Sequence, residues 1–225
     1  MICLRRFLVV LCGATLLAFS GEASANIILN PGFENGAGAD AADWAELSGA
    51  AGSTVRDSAM PSSGSFAAHM SFDHIANTPS AGAYFVEQNQ GANVISDADN
   101  FDLTFDAKTD SSDFTGMDTF YQLLWLDQDA SHGGGVKGET LTSLIGAGIN
   151  TSYQTFSLLD VDVPDGADSF LLRFQISSGP VDGIANGLWV DNVSLSTVVP
   201  EPATWCLLAT GGLLALVRRR RKSAT

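Results

Sequence analysis

Phe101-Asp102-Leu103-Thr104-Phe105-Asp106-Ala107 decides the fold. Four apolar side chains alternate with three polar ones, and a strand sends successive side chains to opposite faces. Phe101, Leu103, Phe105 and Ala107 therefore share a dry side, while Asp102, Thr104 and Asp106 share a wet one. A half-buried strand reads this way and a helix does not.

Working outward, the same period recurs in Ile27–Leu29, Ser65–Phe72, Ala83–Gln88, Thr119–Asp127, Gln154–Val163, Ser169–Ile176 and Leu188–Leu195. Turn-forming clusters separate these runs, among them Pro61-Ser62-Ser63-Gly64, Asn89-Gln90-Gly91 and Pro164-Asp165-Gly166. Leu141–Asn150 suits a short helix or a loop. Many short strands joined by glycine-rich turns predict an all-β sandwich or barrel over residues 26–197.

Both ends of the chain stand apart from this pattern. Arg5 and Arg6, an apolar run from Phe7 to Phe19 and Ala23-Ser24-Ala25 make a secretory signal peptide over residues 1–25, with cleavage expected before Asn26. At the other end Ala203–Val217 is fifteen residues without a charge, about 22 Å as a helix and short of the hydrocarbon core of about 30 Å. Arg218–Lys222 supplies a cytoplasmic stop. Pro200-Glu201-Pro202 directly before the apolar run leaves an extended, accessible segment, because two prolines deny it a regular helix or strand. In this order the three parts resemble the PEP-CTERM sorting signal, here residues 198–225. The resemblance implies recognition by an exosortase and a transient inner-membrane anchor through a transmembrane helix at 203–217. It also implies export to the cell surface or matrix of a Gram-negative bacterium.

Between the ends, from Asn26 to Val199, only Arg56, Lys108, Lys137 and Arg173 oppose 23 Asp and Glu, a net charge of −19. Such a surface repels phosphate backbones, so nucleic acid is not an expected partner. Cys3, Cys12 and Cys206 all fall in the end segments, which excludes disulfides, zinc–thiolate sites and a cysteine nucleophile from the domain.

Two end strands carry a second resemblance. Asn26–Gly36 (NIILNPGFENG) and Gly187–Ser196 (GLWVDNVSLS) are similar to the first and last strands of the CBM4/9/22-like, galactose-binding-like carbohydrate-binding modules. The Ser-Gly-Ser turn at 63–65 and the late pair YQTFSLLDVDVP and SFLLRFQIS fit the same family. The resemblance implies a jelly-roll β-sandwich and a structural Ca²⁺ ligated by Glu34, Asp191 and Ser65 or a neighbouring carbonyl. Alternatively, Glu34 caps a turn and Asp191 hydrogen-bonds a neighbouring loop.

Sugar recognition uses aromatic planes flanked by amide and guanidinium groups. Alternation puts Tyr121 and Trp125 on one face about 13 Å apart, Arg173 with Gln175 on another, and Tyr84 with Gln88 on a third. These six are the candidate glycan-binding residues. A core role for Tyr121 and Trp125 satisfies the same alternation. No nucleophile elbow or metal-ligand spacing occurs, and carboxylates are too numerous for any pair to mark a glycosidase. The expectation is an exported, non-catalytic protein that binds exopolysaccharide or another surface glycan. A structural biofilm-matrix protein with calcium-dependent packing is the alternative, and a polysaccharide-active enzyme is a further one.

Overall fold

The computed structural model describes residues 25–49, 52–72, 82–91, 93–96, 99–128, 134–178 and 185–198. Both end segments of the sequence, including the sorting motif at Pro200-Glu201-Pro202 and the apolar run 203–217, lie outside them. Residues Asn26–Val198 form one compact unit. Its elements are strands, and no helix occurs among the described residues.

A small hairpin, β1 (Gly36–Ala37) with β2 (Asp40–Ala41), precedes two five-stranded antiparallel sheets. The first sheet runs β10 (Gln154–Asp162), β7 (Asn100–Thr109), β12 (Asn186–Thr197), β5 (Ala67–Phe72), β4 (Gly52–Asp57). The second runs β3 (Ala45–Leu47), β6 (Gly82–Gln90), β11 (Ser169–Ser178), β8 (Met117–Leu126), β9 (Val136–Ser143). The first and last strands of the domain are not edge partners of one another: β12 sits in the middle of its sheet.

Burial follows the alternation read from the sequence. Phe101, Leu103, Phe105 and Ala107 of β7 are fully buried, and they meet Tyr121 and Trp125 of β8 and Phe174 of β11 between the sheets. Phe105 is the hub, with ring centroids of Phe174, Tyr121 and Phe156 at 4.8, 5.2 and 5.5 Å. Trp44 closes one end of this core against Phe33, at 4.9 Å. Offset and edge-on arrangements of this kind suit the ring quadrupoles.

Two bulges keep the inward phase where strict alternation fails. Asn192, at φ 50°, is the extra residue in β12, so that Leu188 and Val190 before it and Val193 and Leu195 after it all face the core. In β10 the register shifts between Leu158 and Val161, where Asp160 has φ 56°; this turns Val161 toward the core and leaves Leu159 61% exposed.

Three expectations are corrected. Ile27–Leu29 is not a strand, because the Gln88 amide takes the place of a ladder partner: it accepts from Leu29 N at 2.9 Å and donates to Leu29 O at 2.8 Å. Trp189, which its place beside Val190 in the closing strand predicts to be core bulk, is buried, yet on the outer side of β12, under the His69 ring stacked at 3.9 Å. Strands β4 and β9 went unread. In β4 the inward positions are Thr54 and Arg56 while Val55 lies on the other side; in β9 the exposed side chains include Val136 and Leu141.

Candidate functional site

Of the six residues expected to bind glycan, four point inward. Tyr121 and Trp125 do share a face, but it is the core face: they are 6% and 2% exposed and pack on Phe105 and Phe101. Tyr84 is buried against Phe72, and Gln88 is spent on the peptide groups of Leu29 and on Asp43 O. The physical reason is volume, since a sandwich fills its interior with the largest side chains of the favoured parity. Arg173 and Gln175 lie on the opposite, outer face of β11, flanking the buried Phe174.

That outer face of the second sheet forms a connected surface. Register sets Arg173 of β11 between Glu87 of β6 and Gln122 of β8, and Gln122 in turn beside Leu141 of β9. Arg173 Nε donates to Glu87 Oε2 at 2.7 Å, with its Nη2 at 2.5 Å from the same oxygen. Its Nη1 reaches Gln122 Oε1 at 3.5 Å, and Gln122 Nε2 donates to Glu139 Oε1 at 2.7 Å. A polar chain thus crosses four strands. The guanidinium also lies 4.3 Å from the Phe85 ring centroid.

One step along the strands, Gln175 is flanked by Phe85 on β6 and Phe120 on β8, each one strand spacing away. The two phenyl rings, both partly exposed, are therefore based about 10 Å apart with an amide between them. Leu47 and Leu141, 43% and 56% exposed, extend the apolar ground to the two edge strands. Aromatic planes separated by hydrogen-bonding groups can stack pyranose rings and hold their hydroxyls. Phe85, Glu87, Phe120, Gln122 and Glu139 were missed from sequence, though they alternate with the buried residues and pair in register with the outward Arg173 and Gln175.

On the outer side of the first sheet, the three segments expected around a calcium ion do meet. Glu34 Oε1 accepts from Ser65 N at 2.7 Å and Phe66 N at 3.2 Å. Asp191 Oδ2 accepts from Ser62 N and Ser63 N at 2.9 and 3.0 Å, and its Oδ1 from Asn192 N at 2.7 Å. The carboxylates thus cap the 62–66 turn from two directions. Asp191 is fully buried, and burial pushes its carboxyl above the usual carboxylate range against the pull of these N–H donors. Asp106, across the β7–β12 pair, is also pushed up by burial, but hydrogen bonds from Asn192, Thr155 and Ser62 outweigh that and hold it low.

Five backbone N–H groups thus occupy Glu34 Oε1 and both oxygens of Asp191, the turn-capping and loop-bonding arrangement expected as the alternative to calcium. Among the described residues Glu34 Oε2 meets no donor, and no Lys or Arg pairs with Asp191. No group of three His, Cys, Asp or Glu side chains gathers at ligating distance among the described residues.

Further along the same outer side, His69 lies between Asp110 and Asp57, with Nε2 at 3.1 Å and Nδ1 at 3.6 Å from their carboxylates. Trp189 Nε1 donates to Asp110 Oδ1 at 2.6 Å. The His69 bond, offset by burial and helped by the indole, holds Asp110 low. Packing accounts for this cluster: it anchors Trp189 on the sheet.

The fold is a two-sheet antiparallel β-sandwich. Among solved structures the chain is similar to the CBM22-1 xylan-binding domain of Paenibacillus barcinonensis Xyn10C, at 12% identity over 80% of this chain and 99% of that one, TM-score 0.50. It is similar to TmCBM61 in complex with β-1,4-galactotriose, at 14% identity over 78% and 100%, TM-score 0.48. It is also similar to the Stig cyclase Fisc of Fischerella sp. TAU, at 17% identity over 80% and 100%, TM-score 0.51. At such identities the likeness is one of fold. No curated protein matches the chain. Residues 198–222 match the family model of the PEP-CTERM protein-sorting motif, which marks an exported protein with a C-terminal sorting signal.

Proposed function

We propose that the chain is an exported, non-catalytic glycan-binding protein whose ligand lies across the outer face of the second sheet. The observation that carries this reading is the Glu87–Arg173–Gln122–Glu139 chain beside Phe85 and Phe120, where apolar planes and hydrogen-bonding groups alternate on an open surface. The sorting motif supports delivery to the cell exterior after exosortase processing, so the partner is an exopolysaccharide or surface glycan of the producing cell. Calcium at Glu34 and Asp191 has a structural role in this reading, joining the 62–66 turn to β12.

Affinity electrophoresis tests it. Matrix polysaccharide cast into the gel retards the protein, and Phe120→Ala with Gln175→Ala abolishes the retardation while leaving the melting temperature within a few degrees. Unretarded migration together with calcium-dependent self-association would instead support a structural matrix role. Release of reducing ends from the polysaccharide would support an enzyme.

A further inference from the structure

We infer that the glycan taken by this face is an amino-sugar polymer carrying free ammonium groups, and that anionic polysaccharides are excluded. The inference rests on the glycan-binding reading and adds the charge class of the ligand.

Every cation between Asn26 and Val199 is already committed. Arg56, 8% exposed, donates to Phe33 O, Glu34 O and Gly38 O and stacks on the Phe66 ring at 3.2 Å. Lys108, also 8% exposed, contacts Met60 Sδ at 2.8 Å and lies over the Tyr153 and Trp189 rings. Lys137 pairs with Asp127 at 3.1 Å and Arg173 with Glu87. A uronate, sulfate or phosphate substituent meets no unpartnered Lys or Arg among the described residues, against a net charge of −19.

The face itself has surplus acceptors. Glu87 Oε1 and Glu139 Oε2 take no hydrogen bond among the described residues, because the bonds of these carboxylates fall on their other oxygens. Asp118, on the same side of β8 as Phe120 and Gln122, bonds Ser143 Oγ and Thr119 N through Oδ1 and leaves Oδ2 open. Against these three open anionic acceptors the face offers two unbonded amides among the described residues, Gln175 and, toward the end of β6, Asn89, and neither carries a positive charge. A ligand that complements it is rich in donors, and an ammonium group brings three donors and a full charge where a hydroxyl brings one donor and none. Phe120 adds a further attraction for a cation seated on its ring, while Phe85 already carries the Arg173 guanidinium.

Calorimetric titration of the full chain in detergent, at pH 6 and physiological salt, tests the charge class. The probes are a fully de-N-acetylated chitosan oligosaccharide, its fully N-acetylated counterpart and an oligogalacturonate of equal length. The amino oligomer binds about tenfold more tightly than the N-acetylated one, and the uronate shows no heat. Glu139→Gln weakens the amino oligomer about tenfold, the loss of one charge-assisted hydrogen bond. Phe120→Ala weakens it too, whereas Asp57→Asn on the other sheet leaves it unchanged. Equal binding of the two chitin-derived probes, lost in Phe120→Ala, overturns the charge class and keeps the glycan reading. Uronate binding likewise overturns it. Amino-oligomer binding that survives Phe120→Ala, or falls as much in Asp57→Asn, is diffuse attraction to an acidic surface and overturns the proposal. Failure of every probe, repeated with the cell's own matrix polysaccharide, overturns both readings.

Discussion

Replacing Phe105 with alanine tests the alternation on which the fold rests. The ring is 1% exposed and touches Phe174, Tyr121 and Phe156, from both sheets, at centroid distances of 4.8 to 5.5 Å. Truncating a buried phenylalanine costs about 3–5 kcal/mol, and three aromatic neighbours place this site toward the upper figure. For a domain of this size that lowers the melting temperature by roughly 10–20 °C. The neighbouring Thr104 faces the other way and makes no side-chain hydrogen bond among the described residues, so Thr104→Ala shifts stability by about 0.5 kcal/mol or less. Urea unfolding followed by circular dichroism measures both, and an unchanged m-value confirms that the midpoint shift reports stability. A loss below about 1 kcal/mol for Phe105→Ala, or an equal loss for Thr104→Ala, would refute the inward assignment of the opening heptapeptide.

Glu46 accepts from Ala41 N at 2.9 Å, and burial, with Asp40 beside it, pushes its carboxyl up to about 7. A carboxyl raised on folding favours the folded state while protonated and loses that stability as pH rises through about 7. Melting temperature therefore falls between pH 5 and 8, and Glu46→Gln flattens that fall; a wild-type slope retained in the variant sinks the assignment. Gln88→Ala removes the bonds to both peptide groups of Leu29 and to Asp43 O, costing about 2–3 kcal/mol and accelerating amide exchange at Leu29. EDTA lowers the melting temperature of the wild type, and Glu34→Ala abolishes that difference; identical wild-type curves with and without chelator count against calcium.

Alternation made much of the architecture legible. Seven of the candidate segments carry strands because their apolar residues recur every second position, and bulk then decides which parity is dry. The same rule misdirected the site. On Phe120–Leu126 both parities carry aromatics, and Tyr121 and Trp125, with polar handles suited to sugars, are the larger volumes that the interior takes. Which face meets water depends on what lies across the sandwich, and that partner comes from a distant strand. Strand β4 was silent for a related reason: its inward Arg56 is satisfied by three backbone carbonyls and a phenyl face, so a buried position reads as a polar one. The junction of Glu34, Ser65 and Asp191 was anticipated by resemblance alone, since no local pattern announces that residues so distant in sequence will meet.

The central position of β12 sets how the domain bears a load. Any grip on the chain beyond Val198 pulls first on a strand of twelve residues clasped on one side by β7 and on the other by Asn26–Ile27 and then, over Asn186–Val190, by β5. An outermost strand unzips one bond at a time under tension, whereas a clasped one must shear past both neighbours at once. Tension entering there is met by many bonds acting in parallel.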